Sequence, residues 1–155
     1  MNMLKKIASG LAVLALVAMI AVAVRAATTD QTQGTGGISA GLRTPALLTG
    51  IADFTSVAAT NGDVFKVIIV PAGYEVQKVF VSVLATNSAA MTFDVGDSTA
   101  SNTFLSAISG VVTNLIGISA AKTNLYLAAD YISVGPHAAA TTGIIQVKAL
   151  VIPWK

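Results

Sequence analysis

Short apolar runs alternate with turn-forming residues along most of this chain. From residue 47 onward, clusters of Gly, Asn, Asp and Pro separate runs rich in Val, Ile, Phe and Thr. Glycine permits positive φ angles, proline fixes φ, and Asn or Asp bonds its own backbone, so such clusters mark turns. Turns at intervals of roughly 8 to 12 residues predict an all-β sandwich or barrel. The predicted strands are 48–55, 63–70, 75–84, 90–95, 103–108, 110–118, 124–127, 131–134 and 143–152.

Two of these strands are apolar on both faces. Residues 63–67 and 145–149 alternate between polar and apolar positions, whereas 79–84 (Val-Phe-Val-Ser-Val-Leu) and 149–152 (Ala-Leu-Val-Ile) barely do. A strand with two apolar faces requires cover on both of them. We therefore expect another chain or element to cover part of the domain's outer surface. The most ambiguous stretch is 106–121, whose Ala and Leu content would also suit a helix.

The first 26 residues form a separate apolar segment. Residues 7–24 carry no charge and follow Lys5 and Lys6. An apolar helix of this length nearly spans a bilayer core of about 30 Å, and the pattern is also that of a signal peptide. The sequence thus predicts either a membrane anchor, which we favour, or a cleaved leader. The residues assigned to the membrane segment are Ile7, Leu11, Leu14, Leu16, Ile20 and Val24.

The segment that follows, residues 27–46, is rich in Thr, Gly and Gln and has little to bury. This composition predicts a flexible spacer between the apolar helix and the sandwich domain, 47–155. A terminal arm that becomes ordered only against neighbouring subunits is the alternative.

Charge is scarce throughout the chain. Hydrophobic residues make up 54% and charged residues 10%, against roughly 25% charged in a typical soluble domain. Three basic residues flank the N-terminal run, so 27–155 contain six basic and seven acidic residues. The basic residues of this part occur singly, which predicts no binding to nucleic acid. The shortage of charge predicts a domain surrounded by other protein; a soluble domain with a Thr/Ser-rich surface is the alternative.

Few side chains could perform chemistry. The chain has no Cys, which excludes disulfides and thiolate metal ligands. His137, the single histidine, is expected to be a loop residue, and Asp94 with Asp97 offers too few oxygens for calcium, so turn capping is expected there. No nucleophile, phosphate-loop or zinc-protease motif occurs. We predict that the protein is not an enzyme and has no cofactor or metal site.

Trp154 lies close to the end of the sequence, in Val-Ile-Pro-Trp-Lys. Tryptophan is enriched at subunit contacts, so we predict that Trp154 anchors such a contact. A lid over the end of the sandwich is the other interpretation.

Several turn signatures resemble those of small structural proteins of bacteriophage virions. They are Gly-Asp-Val followed by an apolar strand and Pro-Ala-Gly at 62–73, Val-Gly-Asp at 95–97 and Ala-Ala-Asp at 128–130. The resemblance spans residues 62–152 and implies a jelly-roll-like β-sandwich that serves as a decoration, fibre or minor capsid protein. Many such proteins begin directly with the domain, so the N-terminal apolar segment departs from the pattern. It would suit a virion that contains a lipid membrane.

Two functions follow from these observations. The first is a virion structural protein that packs against copies of itself and other capsid proteins, and that contacts lipid through its N-terminal segment if that segment is retained. The alternative is an exported bacterial surface protein whose leader is cleaved and whose sandwich polymerises or adheres.

Overall fold

The computed structural model describes residues 28–31, 44–87, 90–112, 116–118 and 124–154. The segment 1–26, with all six residues assigned to the membrane, lies outside these ranges, as does much of the spacer. No helix in the described part of the chain is long and apolar enough to cross a membrane.

The described residues form ten strands, and the all-β prediction is confirmed. The strands are β1 (Thr28–Asp30), β2 (Ala46–Asp53), β3 (Val64–Val70), β4 (Tyr74–Ala85), β5 (Thr92–Gly96), β6 (Leu105–Ser109), β7 (Ile116–Ile118), β8 (Asn124–Tyr126), β9 (Asp130–Pro136) and β10 (Ile144–Pro153). Of the predicted strand at 110–118, residues 110–112 are not in a strand, whereas 116–118 form β7. β1 lies within the segment that was predicted to be a spacer.

The strands form two sheets. The first sheet has the order β1-β3-β9-β5-β6, and the second has the order β2-β10-β4-β7, with β8 also pairing with β4. Antiparallel pairs are nested along the chain: β2 with β10, β3 with β9, β4 with β7 and β8, and β5 with β6. The chain therefore resembles one long hairpin, with β5 and β6 at its tip, folded over into two layers.

The core lies between the two sheets and is built largely from β-branched and aromatic residues. Along β4 and β10, alternate side chains such as Val81 and Val147 are fully buried. Phe54 and Phe65 meet edge to face, with ring centroids 5.0 Å apart and planes at 78°. This geometry is favourable for aromatic pairs and fixes the position of one sheet on the other.

Gly50 is the point where β2 of the second sheet presses against β3 of the first. A Cβ atom placed on Gly50 would lie 2.0 Å from the carbonyl oxygen of Val67. β3 has a register irregularity between Lys66 and Ile68, at the same place. The bulge and the missing side chain together allow two backbones to approach more closely than any other residue would permit.

β1 and Gln31 join the two sheets at one edge. β1 pairs in parallel with β3 of the first sheet. The Gln31 side chain then reaches β2 of the second sheet, where it accepts a hydrogen bond from the Asp53 backbone N–H (2.9 Å) and donates one to the Asp53 carbonyl (3.0 Å). Gln31 thereby satisfies two backbone groups that point away from β10, as a neighbouring strand would do.

Candidate functional site

Asp97 is the centre of the most connected polar cluster described in the structure. It follows β5, its side chain is buried, and its Oδ1 accepts hydrogen bonds from the backbone N–H groups of Thr99 (2.9 Å) and Ala100 (3.2 Å). The Thr103 hydroxyl lies 2.9 Å from the same oxygen. The expected turn-capping role of Asp97 is therefore confirmed: its carboxylate organises the turn between β5 and β6.

The other carboxylate oxygen of Asp97 reaches a distant strand. Its Oδ2 accepts a hydrogen bond from the Tyr126 hydroxyl (2.8 Å) and another from the Asn124 side-chain amide (3.0 Å), both on β8. One residue thus joins the β5–β6 turn of the first sheet to the β8 strand of the second sheet. The sequence did not indicate this link, since nothing local marks Asn124 or Tyr126 as partners of Asp97.

These contacts fix the ionisation of both groups. Burial alone would raise the pKa of Asp97, but hydrogen bonds from Tyr126, Thr103 and two backbone N–H groups hold it below its ordinary value. Burial, together with the Asp97 carboxylate, raises the pKa of Tyr126. Asp97 is therefore an anion and Tyr126 a neutral donor at neutral pH, so the pair is a fixed structural contact rather than a proton relay.

An open cavity of about 490 Å³ lies beside this cluster, lined by Asp97–Thr99 and residues 124–130. The Ser98 hydroxyl donates a hydrogen bond of 2.6 Å to Asp130 across one wall. The Asp97 oxygens already accept bonds from protein donors, and the described residues contain no group of three or more His, Cys, Asp or Glu side chains suited to hold a metal ion. The arrangement supports a structural role for the cluster.

Acidification should remove the stabilisation that Asp97 provides. A carboxyl whose folded pKa is below its ordinary value of 3.8 stabilises the fold fully above about pH 4, and this contribution is lost as the pH falls through the folded pKa. Asp53, whose pKa is also lowered, mainly by hydrogen bonding to Thr55, adds a contribution of the same sign. Thermal unfolding of the wild type and of Asp97→Asn between about pH 7 and pH 2 should show their difference shrinking below pH 4. A constant difference across that range would contradict the assignment.

A second polar contact joins β5 to the loop after β9. His137 Nε2 lies 3.0 Å from Asp94 Oδ2, with Asp94 buried and His137 about half exposed. The other oxygen of Asp94 accepts a hydrogen bond of 2.8 Å from the backbone N–H of Ala107, which has a positive φ of 54°. His137 is thus in a loop, as expected, and the pairing of β5 with β9 brings Asp94 to it.

The outer face of the second sheet and its adjoining end carry a group of exposed and half-buried apolar side chains that we name the apolar stripe. Register places Leu47 opposite Leu150, and it places Ile152 and Leu125 on either side of Glu75. The backbone N–H of Trp154 donates to Gly73, whose own N–H donates to Tyr126, so Trp154 and Leu127 lie at the same end of the sheet. The stripe consists of Leu47, Leu125, Leu127, Leu150, Ile152 and Trp154.

The stripe is open to solvent at its periphery. Leu127 is 84% exposed, Trp154 58% and Leu47 56%. Trp154, the predicted subunit contact, thus stands at one end of a larger apolar surface. The strands that were expected to need cover on both faces, 79–84 and 149–152, are the ones that present Phe80, Leu84, Leu150 and Ile152 on this outer face.

No protein-family model and no curated protein matches the sequence. The fold, in contrast, is similar to chains in solved bacteriophage capsids. A chain of the capsid of Ralstonia phage GP4 aligns with a TM-score of 0.61 and 14% identity, over 83% of this chain and 99% of that chain. A chain of the Cyanophage Pam1 capsid asymmetric unit aligns with a TM-score of 0.56 and 21% identity, over 70% and 84%.

A third similar chain comes from the acidic stable capsid structure of Helicobacter pylori bacteriophage KHP30. It has a TM-score of 0.53 and 20% identity, and the alignment covers 70% of this chain and 87% of that chain. At these identities the likeness concerns the fold. The resemblance to small β-sandwich structural proteins of bacteriophages is thereby confirmed at the level of architecture.

Proposed function

We propose that this protein is a structural component of a bacteriophage virion that acts by packing against neighbouring capsid subunits. The observation that carries the proposal is the similarity of its fold to chains of three phage capsids, one of them over 99% of that chain's length. Its position in the particle is that of a decoration, spike or minor capsid protein. Catalysis has no part in this role.

The strand topology supports the classification as a jelly roll. Jelly rolls consist of two sheets built from two Greek keys, and the nested pairs from β2–β10 to β5–β6 generate that arrangement. The same architecture also occurs in lectin domains and cupins. The similarity to capsid chains supports the virion use.

The exposed apolar stripe supports assembly as the mode of action. Contiguous apolar side chains on a protein surface mark contact sites, and burying a Leu or Trp side chain fully is worth roughly 1.5 to 3 kcal/mol. The partners proposed to cover this surface are further copies of the chain and other capsid proteins.

The N-terminal segment, residues 1–26, is proposed to tether the domain to a lipid membrane. Its 18-residue uncharged run and the preceding Lys5 and Lys6 support this part of the proposal. Trp154 is proposed as one anchor of the subunit contact.

Purified particles from cells that produce this protein should contain it at a constant ratio to the major capsid protein through successive density gradients. Quantitative mass spectrometry measures that ratio, and the intact mass tests the anchor. A chain beginning at Val24 or Ala27 would show that the leader is cleaved. Recovery on the bacterial surface, with none in the particles, would refute the virion role and favour the exported surface protein.

A further inference from the structure

Four side chains of β10 and its C-terminal continuation face outward in one line. Lys148, Leu150 and Ile152 alternate with buried neighbours such as Ala149 and so lie on the outer face of the second sheet. Trp154, which is 58% exposed, lies one residue beyond the end of β10, and extending the alternation of the strand places it on the same face. The line therefore runs from a cation through two aliphatic side chains to an aromatic ring.

The adjacent strand, β4, carries two opposite charges on the same face. Glu75 lies opposite Ile152 and Lys78 lies opposite Leu150. A register shift separates these two pairs, so an extra residue, Gln77, is accommodated between them. The midpoint between Glu75 and Lys78 on β4 therefore lies beside the midpoint between Ile152 and Leu150 on β10.

This surface is complementary to a second copy of itself related by a two-fold axis. The axis lies in the plane of the sheet's outer face, runs perpendicular to the strands, and passes midway between Leu150 and Ile152. The half-turn exchanges Leu150 with Ile152, so apolar side chains meet apolar ones. It exchanges Glu75 with Lys78, so opposite charges meet. It also exchanges Lys148 with Trp154, which places a cation over an aromatic ring, a favourable contact.

We propose that the outer face of the second sheet packs against the same face of a second copy of this chain about this two-fold axis. The inference rests on the proposed function and specifies which surface the subunits share. In an isologous contact each pair occurs twice, so the interface contains two Glu75–Lys78 contacts and two Lys148–Trp154 contacts. Sheets packed face to face lie about 10 Å apart, a distance that outward side chains of both copies fill.

The charges also select this axis over the other two-fold arrangement of the same face. An axis that runs along β4 itself would place Glu75 against Glu75 and Lys78 against Lys78. Like charges opposed across an interface are unfavourable, whereas opposite charges fix the register of two surfaces. The position of one acidic and one basic residue therefore determines the orientation of the second copy.

Charge reversal provides the test. Full-length Glu75→Lys and Lys78→Glu should each weaken self-association at least about tenfold, because each variant opposes like charges twice. An equal mixture of the two variants should form heterodimers at least as tightly as the wild type, since every Lys of one chain then faces a Glu of the other. Sedimentation with one variant labelled, under one buffer and detergent condition, measures both quantities.

A matched control lies on the outer face of the first sheet. Lys66, whose amino group lies 4.1 Å from the centre of the Tyr131 ring, is remote from the proposed interface. Lys66→Glu changes the net charge as much as Lys78→Glu does, and it should leave self-association unchanged. Its heterodimer with Glu75→Lys should be weaker than the heterodimer of the two reversal variants, because one of the two contacts still opposes two lysines. Trp154→Ala, introduced into the wild type or into both reversal variants, should weaken self-association in each case. If a reversal variant fails to fold, Glu75→Gln and Lys78→Gln replace it, with a smaller weakening expected.

A monomeric wild type, or a mixture that shows no recovery, would overturn the proposed interface. The two proposals fail separately. If the chain is found in particles but the mixed variants do not regain self-association, the proposed interface is wrong and the virion role stands. If the mixed variants regain self-association but the chain is absent from particles, the virion role is wrong and the interface stands.

Discussion

Replacing Asp97 with alanine should lower the free energy of unfolding by about 3 kcal/mol, a shift in melting temperature of about 10 °C. The substitution removes the acceptor of five donors that surround the carboxylate, among them the buried Tyr126 hydroxyl. Hydrogen bonds to a charged group contribute more than neutral ones, and a buried donor left without an acceptor is costly. Chemical denaturation of the wild type and the variant measures the difference.

Asp97→Asn is the matched control because it keeps the shape of the side chain. Its carbonyl oxygen can still accept from the Thr99 and Ala100 N–H groups, while its NH₂ group can donate to the Tyr126 hydroxyl oxygen. We expect this variant to lose about 1 kcal/mol, clearly less than the alanine variant. If both variants lie within about 0.5 kcal/mol of the wild type, the cluster does not hold β8 against the β5–β6 turn.

The strands were predictable because their signals are local. Gly62 and Gly73, in the turns on either side of β3, have the positive φ angles that glycine permits, and the buried valines of β4 recur at the spacing of a strand. Residues 79–84 are apolar at both alternating sets of positions, which predicts apolar side chains on both faces of the sheet. Phe80 and Leu84 lie on the outer face.

The polar contacts could not be predicted because their partners are distant in sequence. Asp97 meets Tyr126, Asp94 meets His137, and Gln31 reaches Asp53 only after strands far apart in sequence have paired. Register between such strands depends on the packing of the whole sandwich, so no local pattern identifies these partners.

β1 is a strand that the composition of the sequence did not predict. Its Thr and Asp residues have little to bury, and composition alone predicted a spacer. The strand forms because β3 offers a free edge and because Gln31 satisfies two backbone groups of Asp53. Hydrogen bonding to an edge, rather than burial, orders this segment, and a composition-based prediction does not capture that contribution.

Replacing Gly50 with alanine should destabilise the fold by at least about 3 kcal/mol, at the upper end of the cost of overpacking. The added methyl carbon would lie 2.0 Å from the Val67 carbonyl oxygen and 2.6 Å from its carbonyl carbon. Both atoms belong to the backbone of β3, so no side-chain rotation can relieve the contact. Either β2 must move away from β3, which loosens the core around Leu48 and Ala52, or the β3 bulge must shift.

Gly135→Ala separates this steric effect from the general effect of removing a glycine. A Cβ atom on Gly135 would be 3.8 Å from its nearest neighbour, an ordinary contact. Both substitutions reduce the freedom of the unfolded chain equally, which by itself stabilises by roughly 0.4 to 1 kcal/mol. Gly135→Ala should therefore be neutral or slightly stabilising in equilibrium unfolding. Comparable stability of the two variants would mean that β2 and β3 do not press together at Gly50, and the contact that joins the two sheets there would have to be abandoned.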